Sequence, residues 1–234
     1  MIAPKVIPAT FIERPNKYLV RARLDGGQEI EAHLADPGRL KELLFHGARG
    51  WVVPVSGPKR KTGHDFIAVD HGGTIVSIDT RVPNRYVKGL LESQYLFPFS
   101  FDAIRPEFPF GERSRIDFLA TRGTQKYLIE VKSVTLVEGG LALFPDAPTR
   151  RGTRHVHELV RSLDLGYVPV IVLVIQRDDA RSFKPHARMD PDFAAAFTEA
   201  KSSGVMIKAF SSKTFLAGDG SLRIEPSRAI PIGA

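Results

Sequence analysis

Asp117, Glu130 and Lys132 are the side chains whose types and spacing in this sequence suggest chemistry. Two neighbouring carboxylates suit a hard divalent cation such as Mg²⁺ or Mn²⁺, which takes oxygen ligands from one or two carboxylates and keeps several waters. A lysine beside them would orient or help deprotonate an attacking water and stabilise charge on an attacked phosphate. Their proximity rests on strand periodicity. Residues 115–120 and 126–136 read as strands around Gly123-Thr124. If those two residues form the loop, with Gly at the first central position of a type II′ turn, Asp117 stands directly opposite Glu130. Opposed residues have Cβ atoms about 4.5–5.5 Å apart, where like charges repel, so a cation is expected between them. Glu130 and Lys132 share one face, and Ile129 and Val131 point the other way, into the core. Glu-x-Lys is common in amphipathic hairpins; the preceding Asp and the short apolar strands set this one apart.

The elements that must position these residues fall into two groups, and the predicted fold class is α+β, or mixed α/β. Residues 1–81 read as short strands at 17–24, 29–34, 51–55, 66–69 and 74–78, with Asp25-Gly26-Gly27 turning the first pair and a short helix over 39–44. Five strands in about 80 residues predict an OB-like β-barrel, a fold that commonly binds oligonucleotides. Tyr18 and Trp51 are candidates for stacking on bases or for packing. The pattern changes near residue 81, and residues 82–234 read as an α/β domain with a central mixed sheet. Its helices are expected at 84–94, 154–165 and 192–203. Its strands are expected at 104–108, 115–120, 126–136, 141–144, 170–175 and, last, 205–210.

The net charge of +7 favours a polyanionic partner. The basic residues concentrate in Lys59-Arg60-Lys61, in a loop flanked by Gly and Pro, and in Arg150, Arg151 and Arg154 at the start of a helix; with Arg115 they are the candidate DNA contacts. His155 and His157 are two apart and cannot share a helix face, so a buried or capping role is expected in place of a paired metal site. The sequence has no cysteine, hence no disulfide or thiolate-bound zinc. It lacks a signal-like N-terminus, and its longest apolar run, residues 168–175, is too short to span a bilayer. A cytoplasmic protein without a membrane role is expected, and a homo-oligomer remains compatible with the sequence.

Ile116-Asp117 followed by Glu130-Val131-Lys132 resembles the PD-(D/E)xK nuclease site, with Ile in place of Pro. Over nearly its whole length, in DPGRLKELL, GERSRIDF, YLIEVKSVTL and FPDAPTRRGTRHVHEL, the chain is similar to the sugar fermentation stimulation protein family. That resemblance implies an N-terminal OB-like domain, a C-terminal PD-(D/E)xK nuclease-like domain and DNA binding. It also implies an alternative to catalysis, a noncatalytic DNA-binding regulator of sugar (maltose) metabolism genes that retains a nuclease fold. The pattern normally adds an acidic residue on the first helix, which family members carry near position 89, where this sequence has Gly89. Glu92, one helical turn on, and Glu107, on the strand before Asp117, are the two candidates for a third metal ligand. A carbohydrate enzyme using paired carboxylates fits neither the lysine nor the basic charge balance.

Overall fold

The computed structural model describes Ala3, residues 5–111 and residues 114–233. β1 (Ile7–Asn16), β2 (Leu19–Leu24), β3 (Glu29–His33), β4 (Arg49–Pro54) and β5 (His64–His71) pair in the cyclic order β1-β2-β3-β5-β4 and close a five-stranded barrel. Alternation explains the closure. In β2, Val20 and Ala22 turn inward and Arg21 and Arg23 outward, where they meet Glu13 and Glu29 on the neighbouring strands. Phe11, Leu34, Leu40, Leu43 and Phe66 fill the interior.

Two expectations for this half change. The fifth barrel strand is β1, which contains Pro8 and Pro15 and register shifts, features that hide a strand in a sequence. β6 (Thr74–Ser77) forms a hairpin with β5, then leaves the barrel to join the second domain's sheet. The helix expected over 39–44 is a single turn, closed by Leu44 N–H to the Leu40 carbonyl at 2.8 Å. Leu40 and Leu43 have helical spacing because both plug the barrel floor, not because a helix forms.

The second domain runs through α1 (Arg81–Glu92), β7 (Ala103–Phe110), β8 (Ser114–Arg122), β9 (Gln125–Val134), β10 (Leu136–Glu138), β11 (Leu141–Phe144), α2 (Arg150–Ser162), β12 (Val168–Ile175), β13 (Ser182–Pro185), α3 (Pro191–Ser202), β14 (Met206–Leu216) and β15 (Leu222–Ala229). Its sheet is ordered β15-β14-β12-β9-β8-β7. β14, β12 and β9 are parallel, and the outer strands are antiparallel. The central strand β12, VPVIVLVI, is buried on both faces, which is why it reads as one apolar run without alternation. α1 packs on one face, over Ile129, Val131, Val172 and Phe210. α2 and α3 cover the other, over Leu128, Ile171 and Leu173. β15, after the strand expected to be last, pairs along β14; its alternating polar pattern and Pro226 carry little strand signal.

Among the described residues no helix is long and apolar enough to cross a membrane.

Candidate functional site

The hairpin that carries Asp117 and Glu130 forms in the expected register. Arg122 pairs with Gln125 and Phe118 with Ile129, so Gly123-Thr124 is the loop, Gly123 has φ +55°, and the same register, carried one residue past the last paired rung, sets Asp117 against Glu130. β8 and β9 separate just beyond Phe118, and the Asp117 carboxylate occupies the gap. Its Oδ2 accepts the Val131 N–H at 2.7 Å, and its Oδ1 accepts from Asn84 Nδ2 at 2.7 Å. Asn84 lies in the first turn of α1, which is fixed by Asp79 Oδ1 accepting the Arg81 N–H at 2.9 Å.

Glu130 faces α2 and is 3% exposed. Its Oε1 accepts from Lys132 Nζ at 2.6 Å and from His155 Nδ1 at 2.6 Å. Arg151 Nε donates a long 3.4 Å contact to His155 Nε2, which leaves the ring proton on Nδ1 for Glu130. The other oxygen, Glu130 Oε2, is buried without a hydrogen-bond partner. A buried carboxylate oxygen left so is costly, and such an exception calls for an explanation.

The two carboxylates differ in acidity. Burial, then the negative charge of Glu130, pushes Asp117 up to about 6 against its two donors. Burial works on Glu130 in the same direction, but the Lys132 charge and the His155 hydrogen bond overcome it and hold that carboxyl well below its ordinary value.

Both residues line a cleft of about 440 Å³ whose other walls come from both domains. The barrel contributes the turn that follows β3. There Asp36 is buried, its Oδ1 accepts the Gly38 N–H at 2.7 Å, and Asp146 Oδ2 accepts the Leu40 N–H at 3.1 Å. A Cβ at 38 would lie 2.6 Å from Asp146 Oδ2 and 2.9 Å from Asp36 Oδ1, so a larger residue there displaces these carboxylates. Burial, with the nearby Asp146 charge adding to it, raises Asp36 to about 6 although Gly38 donates to it. The opposite wall is the start of α2, where Thr149 Oγ1 caps Gly152 N–H at 3.0 Å and Arg151 lines the opening. Asp190 accepts the Thr149 N–H at 2.7 Å and the Phe193 N–H at 2.9 Å, tying the starts of α2 and α3 together.

Asp117, Glu130, Lys132 and Arg151 thus meet in one cleft, and the other candidates fall elsewhere. Glu92 is exposed and pairs with Lys88 on the outside of α1, and Glu107 is exposed on β7; neither lines the cleft. Arg115 is exposed on β8 outside the cleft lining. Arg150 and Arg154 line an adjacent groove of about 580 Å³ with His157 and Arg161, which continue the same face of α2. Lys59, Arg60 and Lys61 lie on the barrel, in a separate groove.

Asn84, Asp36, Asp146 and the role of His155 were missed in the sequence. The only local signals were the Asp-Pro-Gly turn at 36–38 and the Pro-Asp-Ala-Pro run at 145–148, each of which reads as loop punctuation. Among the described residues no three His, Asp or Glu side chains converge into a ready-made cage. An ion here would therefore be held by Asp117 and Glu130 and completed by water or phosphate oxygens, the usual habit of Mg²⁺.

Known proteins share this two-domain fold. Residues 81–217 match the family described as the sugar fermentation stimulation protein RE domain, and residues 12–78 match the SfsA N-terminal OB domain. A sugar fermentation stimulation protein homolog of Moorella thermoacetica is 44% identical over 207 residues, covering 88% of this chain and 89% of the relative. A homolog of Methanothermobacter thermautotrophicus is 40% identical over 208 residues, covering 88% and 86%. Among solved structures, the chain is similar to Pyrococcus furiosus SfsA, described as a complex with Ca²⁺. The TM-score is 0.89 and the identity 27%, over 100% of this chain and 98% of that one. With both domains matched in order and relatives aligned over most of its length, the chain belongs to the sugar fermentation stimulation protein family.

Proposed function

We propose that the cleft is a divalent-metal-dependent phosphodiesterase site acting on DNA, in a nuclease-like domain of the PD-(D/E)xK type. The observation that carries this reading is Glu130. Lys132 and His155 engage Oε1, leaving Oε2 buried and without a partner in the cleft that Asp117 also lines. Glu130 and Asp117 line the same cleft, so a cation seated there would complete the oxygen that the protein leaves unpaired. Asp117 and Glu130 fit a hard cation, and the solved Pyrococcus relative, titled as a Ca²⁺ complex, supports an ion of that class. Such an ion, when bound, supplies positive charge that offsets the charge gathering on the phosphate in the transition state.

The remaining steps belong to this chain's own side chains. The Lys132 side chain is 11% exposed, and its Nζ, held by Glu130, is placed to orient the attacking water and to stabilise charge at the phosphate. Arg151 at the cleft wall offers a forked donor to a phosphate oxygen. Arg150, Arg154 and Arg161 on the adjacent face of α2 extend that contact along the backbone of DNA. Incubating the purified protein with supercoiled, linear and single-stranded DNA in Mg²⁺, Mn²⁺ or EDTA tests the proposal. Cleavage that needs the ion supports it. Ion-independent binding without cleavage would favour a noncatalytic DNA-binding regulator of sugar-use genes.

A further inference from the structure

On the barrel, away from the phosphodiesterase cleft, a groove of about 570 Å³ has an aromatic floor and basic walls. Tyr18 lies in it 45% exposed, a large aromatic surface that packing does not explain. The His33 imidazole stacks beside it, 26° from parallel with centroids 6.2 Å apart, and the exposed Lys17 ammonium rests 4.9 Å over the Tyr18 ring. A flexible, hydrated ammonium yields readily to a flat aromatic ligand.

The walls carry charge that the fold does not consume. Arg60 pairs with the buried Asp65, so its guanidinium belongs to the loop and not to a ligand. Arg60 N–H to the Gly57 carbonyl at 3.1 Å and Thr62 Oγ1 to the His64 carbonyl at 3.2 Å hold the loop around it. Lys59 and Lys61, on either side of that anchor, are exposed, and among the described residues neither has an ion-pair partner. Glu31, the acidic residue in the groove, is drawn toward Arg21 at 3.4 Å.

We infer that this groove binds single-stranded DNA, with an unpaired base stacked on Tyr18 beside His33 and the phosphates on Lys59 and Lys61. A duplex hides the faces of its bases in its own stack, so an exposed ring platform with cationic walls selects a single strand. The groove is also joined to the cleft. Arg14 donates to the carbonyls of Lys17 at 2.7 Å, Asp36 at 2.9 Å and Gly38 at 2.6 Å, tying the turn beside Tyr18 to the turn that walls the cleft. From His33 to Asp36 the chain spans at most about 11 Å, so a strand seated on Tyr18 is led toward Asp117 and Glu130. That last step rests on the phosphodiesterase reading; the binding itself does not.

The test is fluorescence anisotropy with labelled oligodeoxythymidylate in EDTA, where no cleavage intervenes. The full chain should bind this probe more tightly than a duplex of equal length. It should lose about ten-fold or more in affinity with Tyr18→Ala, keep affinity with Tyr18→Phe, and lose as much when the probe is abasic. Lys59→Ala with Lys61→Ala should weaken binding and flatten its salt dependence. Tyr18→Ala or an abasic probe that binds like the unaltered pair, or equal affinity for the duplex, would overturn the inference. A protein that shows the Tyr18-dependent binding but cleaves nothing with Mg²⁺ or Mn²⁺ would leave this inference standing and remove the catalytic one.

Discussion

Glu130 is held through one oxygen, and this asymmetry makes the residue measurable. His155 donates to Oε1 and so fixes the direction of Oε2 without reaching the reacting atoms; it is a positioning residue. Removing such a partner of a ligand costs about ten-fold in metal affinity, and losing a hydrogen bond to a buried charge costs about 2 kcal/mol. His155→Ala should show both effects, in calorimetric titration with Mn²⁺ and in thermal melting. A weakened melt with unchanged ion affinity would reduce His155 to packing. Asp117 sets the pH dependence. Its carboxyl titrates at about 6 in the fold, so below that pH a proton competes with the ion, and affinity should fall about ten-fold per pH unit. Above about pH 7 it should level off. The sign for stability runs the other way. A carboxyl raised in the fold penalises folding once pH exceeds its unfolded value near 3.9, and the penalty is complete above 6. Mg²⁺ or Mn²⁺ should therefore raise the melting temperature more at pH 7.5 than at pH 5, and a shift independent of pH would place the ion away from Asp117.

Two short segments at the ends of elements hold the cleft open. Thr149→Val removes the cap of α2 and should cost about 1 kcal/mol, loosening the turn that carries Arg151. Gly38→Ala drives a methyl against the Asp146 and Asp36 carboxylates, which must shift and so strain their hydrogen bonds to Leu40 and Gly38, at about 1 kcal/mol. Its expected signature is lost ion affinity with the barrel's far-ultraviolet circular dichroism unchanged. What was legible in the sequence follows the same division between local and distant. The register of Asp117 against Glu130 was readable because a Gly-containing two-residue loop and strand alternation fix it within a few residues. Asn84, Asp36, Asp146 and the contact of His155 were not, because each reaches the cleft through tertiary packing. The pattern at 39–44 misled because two leucines plugging a barrel have helical spacing, and β1 was hidden by its prolines. The choice between Glu92 and Glu107 failed for a related reason: an acidic residue at the right distance in sequence points outward in both cases.

At the scale of the whole molecule the two halves have their own interiors. One core lies wholly within residues 9–78 and two lie wholly beyond residue 86, whereas a small cluster around Trp51 takes Leu222 from the other half. A fragment beginning at residue 81 should thus fold cooperatively, with a lower melting temperature because Leu222 and the edge of β14 lose their cover. Aggregation of that fragment would argue for a merged core. Such a fragment would also lack Asp36 and the barrel wall of the cleft, so the function proposed belongs to the intact chain. The measurement that tests it most directly is DNA cleavage in Mg²⁺ or Mn²⁺ by the full protein and by Glu130→Gln, with ion binding followed by calorimetry on both. The account predicts that the unaltered protein binds the ion and cuts, and that the variant folds, still binds DNA, and loses both ion binding and cutting. An unaltered protein that binds no divalent ion even with DNA present, or a variant that cuts as well as its parent, would contradict it.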